Sequence, residues 1–193
     1  ASSNVTLYKF VPENYSFVTA GEVHPSLSYF GRTVVKGDRA YMMANTYSEV
    51  KFLEFNRNTM SLSVVSDPPG KVSTHIILMD GDSVIYAGGG DSLTYRGYYV
   101  SEFWKYNLFS GTWKRLKDLP FFCMTSSEFT INGRNYVISI DKKLWEYNPV
   151  ADTWSHISTY PGTGTYDMMI VVCNGRVYIG HGRYGNNQIY YYD

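Results

Sequence analysis

The chain has 193 residues, 44% of them apolar and 18% charged, which suits one domain with a sizeable core or two small ones and excludes a disordered chain. Seventeen Lys and Arg balance 17 Asp and Glu with no long run of one sign, which speaks against a phosphate-tracking surface and so against a nucleic-acid partner. The longest apolar stretch, Met168 to Cys173, is too short to span a membrane, and the aromatic share of 17% favours strands over helices.

In chain order the strands fall into repeating groups. Residues 5–20 form two strands carrying Phe10 and, seven residues on, Phe17. In residues 21–69 a Gly37-Asp38 turn precedes a strand with Tyr41, and Phe55 is followed at the same spacing by Leu62. Residues 70–120 open with an apolar strand, Ser73 to Met79, then the turn Gly81-Asp82, a strand with Tyr86, and the pair Tyr106 and Trp113. Residues 121–161 repeat the order with Glu128 to Ile131, Asn132-Gly133, Tyr136, and the pair Tyr147 and Trp154. Residues 162–193 supply Met168 to Cys173, read as a buried strand, then Asn174-Gly175, Tyr178 and Tyr192. The tyrosines at 41, 86, 136 and 178 are spaced by 45, 50 and 42 residues. Asn-Gly and Gly-Asp pairs suit hairpin turns because those turns need positive φ.

Each complete group thus holds four short antiparallel strands, a to d, in 40 to 50 residues, the pattern of a propeller blade. The expected fold is all-β, a β-propeller of four-stranded blades stacked through Tyr and Trp side chains. Ile85-Tyr86-Ala87-Gly88-Gly89-Gly90, Trp104-Lys105-Tyr106-Asn107, Thr112-Trp113 and Leu119-Pro120 together resemble a kelch repeat. Residues 132–161 match the same pattern without the double glycine, and residues 37–69 match it loosely, with Asn45-Thr46 at the glycine position. The resemblance implies a single propeller domain or fragment over 1–193, with partial blades at 1–20 and 162–193 and full blades at 21–69, 70–120 and 121–161. Four to five blades are then present. Joining the ends leaves one strand c too many for a simple four-bladed ring, so the preferred expectation is part of a six- or seven-bladed ring. A four-bladed ring with a displaced terminal strand is the alternative. Open edges at either end would favour association with flanking blades or another chain.

The loops joining strands b and c vary most, spanning 14, 20, 11 and 14 residues between the marker aromatics. Together with the d–a segments they define one face, and variable loops on a rigid scaffold are where binding residues concentrate. On that face Tyr47, Tyr95, Arg96, Tyr98, His181, Arg183, Tyr184 and Asn186 are the candidate ligand contacts, with Tyr166 and His24 in d–a segments less strongly indicated. Aromatic faces stack on sugars or peptide side chains, and Arg and Asn add directional hydrogen bonds. The other b–c loop is Asp141-Lys142-Lys143.

These features favour a non-catalytic recognition module for a protein or glycan, with no catalytic residue, metal site or cofactor assigned. The resemblance implies a secreted, periplasmic or cell-surface setting, like that of bacterial kelch proteins. The alternative it implies is a kelch-type sugar-processing enzyme, such as a mutarotase or oxidase, acting at the central channel. For that reading Arg32, His75, Glu128 and His181 are the candidates, although His75, in mid strand a, is most simply a satisfied core residue. The four histidines and two cysteines show no metal-ligand spacing. Cys123 and Cys173 are expected to be buried free thiols, neither placed for the Tyr–Cys crosslink of the copper oxidases that share the fold.

Overall fold

The computed structural model describes residues 5–23, 29–45, 49–70, 72–73, 75–92, 100–122, 128–166, 168–180, 182 and 188–192. Among them every helix or strand is a strand, and no helix is long and apolar enough to cross a membrane. Two compact units divide the chain at Pro68/Pro69.

The first unit holds an antiparallel hairpin, β1 (Val5–Val11) with β2 (Ser16–Val23). It also holds a four-stranded antiparallel meander of β3 (Tyr29–Lys36), β4 (Arg39–Asn45), β5 (Val50–Asn56) and β6 (Ser61–Ser66). Tyr41 stacks on Phe52 of β5, with ring centroids 5.9 Å apart.

The second unit begins with β7 (Val72–Ser73), which pairs with the short β10 (Asp91–Ser92). Its first meander runs β8 (Ile76–Asp80), β9 (Val84–Gly88), β11 (Phe103–Asn107) and β12 (Thr112–Arg115). The second is β13 (Glu128–Ile131), β14 (Arg134–Ile138), β15 (Lys143–Asn148) and β16 (Thr153–Thr159). A three-stranded sheet follows: β17 (Met169–Cys173), β18 (Arg176–Gly180) and β19 (Ile189–Tyr192). The first strands β8, β13 and β17 lie side by side, β13 touching both of the others, so the three sheets stack face to face as blades.

Strand alternation explains how the middle blade fills both junctions. Val137, Trp145 and Tyr147 point to the preceding blade and pack with Ile76, Leu78, Tyr86, Phe103 and Phe121. Tyr136, Ile138 and Leu144 point the other way, to Met168, Val177 and Ile179. Phe103 is fully buried and meets Tyr86, Tyr147 and Trp154 at centroid distances of 5.1–5.7 Å.

The marker aromatics fall in equivalent places. Tyr41, Tyr86, Tyr136 and Tyr178 are each the third residue of their strand. Each pair spaced by seven residues is a direct cross-strand pair: Phe10 with Phe17, Phe55 with Leu62, Tyr106 with Trp113, and Tyr147 with Trp154. The Asn132-Gly133 and Asn174-Gly175 turns carry positive φ at both residues, as a two-residue hairpin requires.

Two expectations are corrected. The strand over Met168 to Cys173 is not buried: Met168 is, but Met169, Val171, Val172 and Cys173 are exposed. An apolar run shows that a strand seeks cover, but not that a neighbouring sheet covers both its faces. Cys173 is accordingly an exposed thiol, while Cys123 lies outside the described residues.

Candidate functional site

All eight loop residues expected to contact a ligand lie outside the described residues: Tyr47, Tyr95, Arg96, Tyr98, His181, Arg183, Tyr184 and Asn186. His24 does too, whereas Tyr166 is half-buried in the segment leading to β17. Of the channel candidates, Arg32 belongs to the first unit, in the irregular stretch of β3 between Phe30 and Thr33. His75 and Glu128 both belong to the second unit; His75 stands just ahead of β8 and not, as expected, in mid strand, and β8 lies beside β13, the strand of Glu128.

Glu128 is the first residue of β13 and is 8% exposed. Its Oε1 accepts a hydrogen bond from the Ile77 amide of β8 at 3.4 Å. The first strand of a blade has one pairing edge without a sheet partner, so a side-chain acceptor there satisfies an amide that sheet pairing leaves over. His75 stands two residues before Ile77, immediately ahead of β8, and its own amide donates to the Gly88 carbonyl at 3.2 Å. A carboxyl and an imidazole from adjacent blades therefore stand at neighbouring first strands.

A second feature lies at the junction of the same two blades. The b–c loop of the second blade is a tight turn in which Lys142 takes φ 66°. The Ser139 amide donates to the Lys143 carbonyl at 3.0 Å, and the Lys142 amide to the Ser139 carbonyl at 2.9 Å. Flanking segments clamp the loop: the Tyr160 amide donates to the Lys142 carbonyl, and the Thr165 hydroxyl to the Ile140 carbonyl. Against it the linker after β12 lays Leu119, Pro120, Phe121 and Phe122, enclosing a cleft of about 510 Å³ with Ser101, Ile140, Asp141, Lys143 and Trp145.

Polar groups in this cleft are fixed by one another. Trp145 Nε1 donates to Ser139 Oγ at 3.0 Å, and Ser139 Oγ donates to Asp141 Oδ1. Lys143 Nζ lies 2.7 Å from Asp141 Oδ2. The hydrogen bond from Lys143, then that from Ser139, holds the Asp141 carboxyl below the ordinary carboxylate range. Phe121 stacks on Trp145 at 5.2 Å, while Phe122 stays 56% exposed.

The sequence singled out the loop Asp141-Lys142-Lys143 but not Ser101, Phe121, Phe122 or Trp145 as site residues. Linkers such as Leu119 to Phe122 carry no repeated signature, and Trp145 reads as one more blade aromatic. The signal available was the Leu-Pro pair closing strand d, which sends the following aromatics back over the blade.

Among solved structures, YjhT is similar to this chain with a TM-score of 0.63 at 16% sequence identity, covering 81% of this chain and 58% of that one. The likeness establishes the fold as a propeller of four-stranded antiparallel blades, and the chain spans a little over half of YjhT's length. No protein-family model and no curated protein matches the sequence. The expectation of a non-catalytic recognition module is corrected by this relationship, which sides with the alternative stated beside it.

Proposed function

We propose that the chain is the propeller, or part of the propeller, of a kelch-type sugar-processing enzyme that catalyses anomer exchange. The observation that carries this reading is the fold likeness to YjhT. Of sugar transformations, anomer exchange asks least of a protein, because it needs no electron acceptor and no second substrate. A base removes the proton of the anomeric hydroxyl while an acid protonates the ring oxygen. The bond between the anomeric carbon and the ring oxygen breaks, a carbonyl forms, the carbon–carbon bond turns, and the ring recloses on the other face. The proton then returns to the anomeric oxygen, and the catalyst is unchanged.

Glu128 is suited to this relay because a carboxyl exchanges a proton between two nearby oxygens, and His75 is its partner for the second transfer. The hydrogen bond from the Ile77 amide fixes one carboxyl oxygen and so the orientation of the other. Tyr95, Arg96, Tyr98, Tyr47, Arg183, Tyr184, Asn186 and His181 are proposed as contacts to the sugar's hydroxyls and apolar faces. A secreted, periplasmic or cell-surface setting, where free sugars are met, accompanies the proposal.

The test is anomer exchange of a panel of reducing sugars, sialic acid included, followed by NMR exchange spectroscopy. Acceleration over buffer for at least one sugar supports the reading. Saturable sugar binding with no acceleration anywhere in the panel refutes it.

A further inference from the structure

We propose that the substrate is a reducing oligosaccharide, its reducing ring at Glu128 and the adjacent neutral ring in the cleft between Phe122 and the Asp141–Lys143 pair; this rests on the anomer-exchange reading above. The sheet register sets the geometry. Glu128 pairs with Val137, and Val137 pairs with Trp145, so the three side chains share one face of the second blade. That face meets the preceding blade, which supplies both the amide on Glu128 and the Ser101 and Leu119 wall of the cleft. Glu128 opens β13 and Val137 nearly closes β14, so both lie at the b–c loop end, where the cleft is. Two strand spacings separate Glu128 from Trp145, roughly 10 Å, a span that two linked rings bridge and one ring does not. Val137 between them is fully buried, so a ligand reaching both points runs over the loop end of the sheet.

The cleft's chemistry specifies a neutral ring. Its volume of about 510 Å³ falls within the range of small-molecule sites. Phe122 offers an exposed apolar face to the C–H groups of a pyranose. In the same cleft, Asp141 and Lys143 are already paired at 2.7 Å. A sugar hydroxyl donates to a carboxylate and accepts from an ammonium, so vicinal hydroxyls bridge the pair without parting it. A charged ligand would have to displace one partner and lose that ion pair.

The full chain is tested with cellobiose, lactose and maltose against glucose and galactose for anomer exchange. The methyl β-glycosides of the same disaccharides, which cannot exchange anomers, are titrated by calorimetry. The expected result is a kcat/KM about tenfold or more higher for a disaccharide, and about tenfold weaker disaccharide KM and methyl glycoside affinity in Phe122→Ala and Lys143→Gln. Phe122 is largely exposed and Lys143 half-buried, and a melting curve for each variant verifies folding. Equal kcat/KM for single and linked rings, or unchanged disaccharide KM and affinity in both variants, overturns the inference while leaving anomer exchange intact. Methyl glycoside binding that is lost in the variants, in a protein that exchanges no sugar's anomers, overturns the activity and upholds the cleft.

Discussion

Asp152 joins two blades to one tyrosine: its Oδ1 accepts from the Tyr147 hydroxyl at 2.9 Å, and its Oδ2 accepts from the Lys117 amide of the neighbouring blade at 3.0 Å. The residue sits in the c–d turn at φ 52°, a conformation that Asp and Asn tolerate better than other side chains. The turn that reverses one blade thus also fastens it to the next. Asp152→Ala removes both acceptors and strains the turn, with an expected loss of about 1–3 kcal/mol. Asp152→Asn keeps one oxygen acceptor and the tolerated φ, and is expected to lose less. Urea unfolding followed by tryptophan fluorescence measures both, and equal stability of Asp152→Ala and the parent chain would refute the role.

Alkaline stability follows from the same tyrosine and its neighbour. Burial first, then the hydrogen bond to Asp152 and its charge, raises the Tyr147 phenol above its ordinary range; burial and Asp80 do the same for Tyr86. The folded state therefore holds these protons more tightly than the unfolded chain. Their contribution to stability is complete below the unfolded value of about 10 and is lost as pH rises towards the folded values. Absorbance titration at alkaline pH should show at least two phenols ionising only with unfolding, and Tyr86→Phe with Tyr147→Phe should remove that late step.

Gly88 closes strand β9 where the chain leaves no room for a side chain. An added Cβ would lie 2.4 Å from the Glu102 carbonyl oxygen, and Gly180, at the same place in β18, meets the Gln188 carbonyl oxygen at 2.6 Å. Neither contact can be relieved by turning a side chain, because the obstacle is backbone. Gly88→Ala is expected to cost about 1–3 kcal/mol and to lower the thermal midpoint, whereas Gly81→Ala, with open space around its Cβ site, should cost less through its φ of 54° alone. Differential scanning calorimetry of the two variants decides the order.

Much of this fold was legible because its markers are short-range. A tyrosine or phenylalanine and its partner seven residues on are tied by one hairpin turn, so Tyr106 with Trp113 and Tyr147 with Trp154 could be paired from spacing alone. Gly88 was legible as well, through the glycine run Gly88-Gly89-Gly90 that resembles the end of a kelch strand b. What depended on distant chain was not. The strand read from Ser73 begins at Ile76, because Val72 and Ser73 pair instead with Asp91 and Ser92, two residues with no apolar alternation to announce a strand. The exposure of Val171 and Val172 depends on what lies beside their sheet, which an apolar run does not encode. The cleft needed Leu119 to Phe122 of the linker after β12 against Ile140, Asp141 and Trp145 of the next blade, a juxtaposition set by blade stacking.

The carboxyl of Glu128 is the group on which the activity reading stands, and Glu128→Gln isolates it. Glutamine keeps an oxygen for the Ile77 amide, so the junction of β8 and β13 persists, but it cannot exchange a proton. The deciding measurement is the rate of anomer exchange by the parent chain and by Glu128→Gln, with the best sugar of the panel, by NMR at neutral pH. A parent rate well above buffer that falls about 10²- to 10⁴-fold in the variant, with an unchanged melting curve, is the predicted result. A variant as fast as the parent would contradict the account.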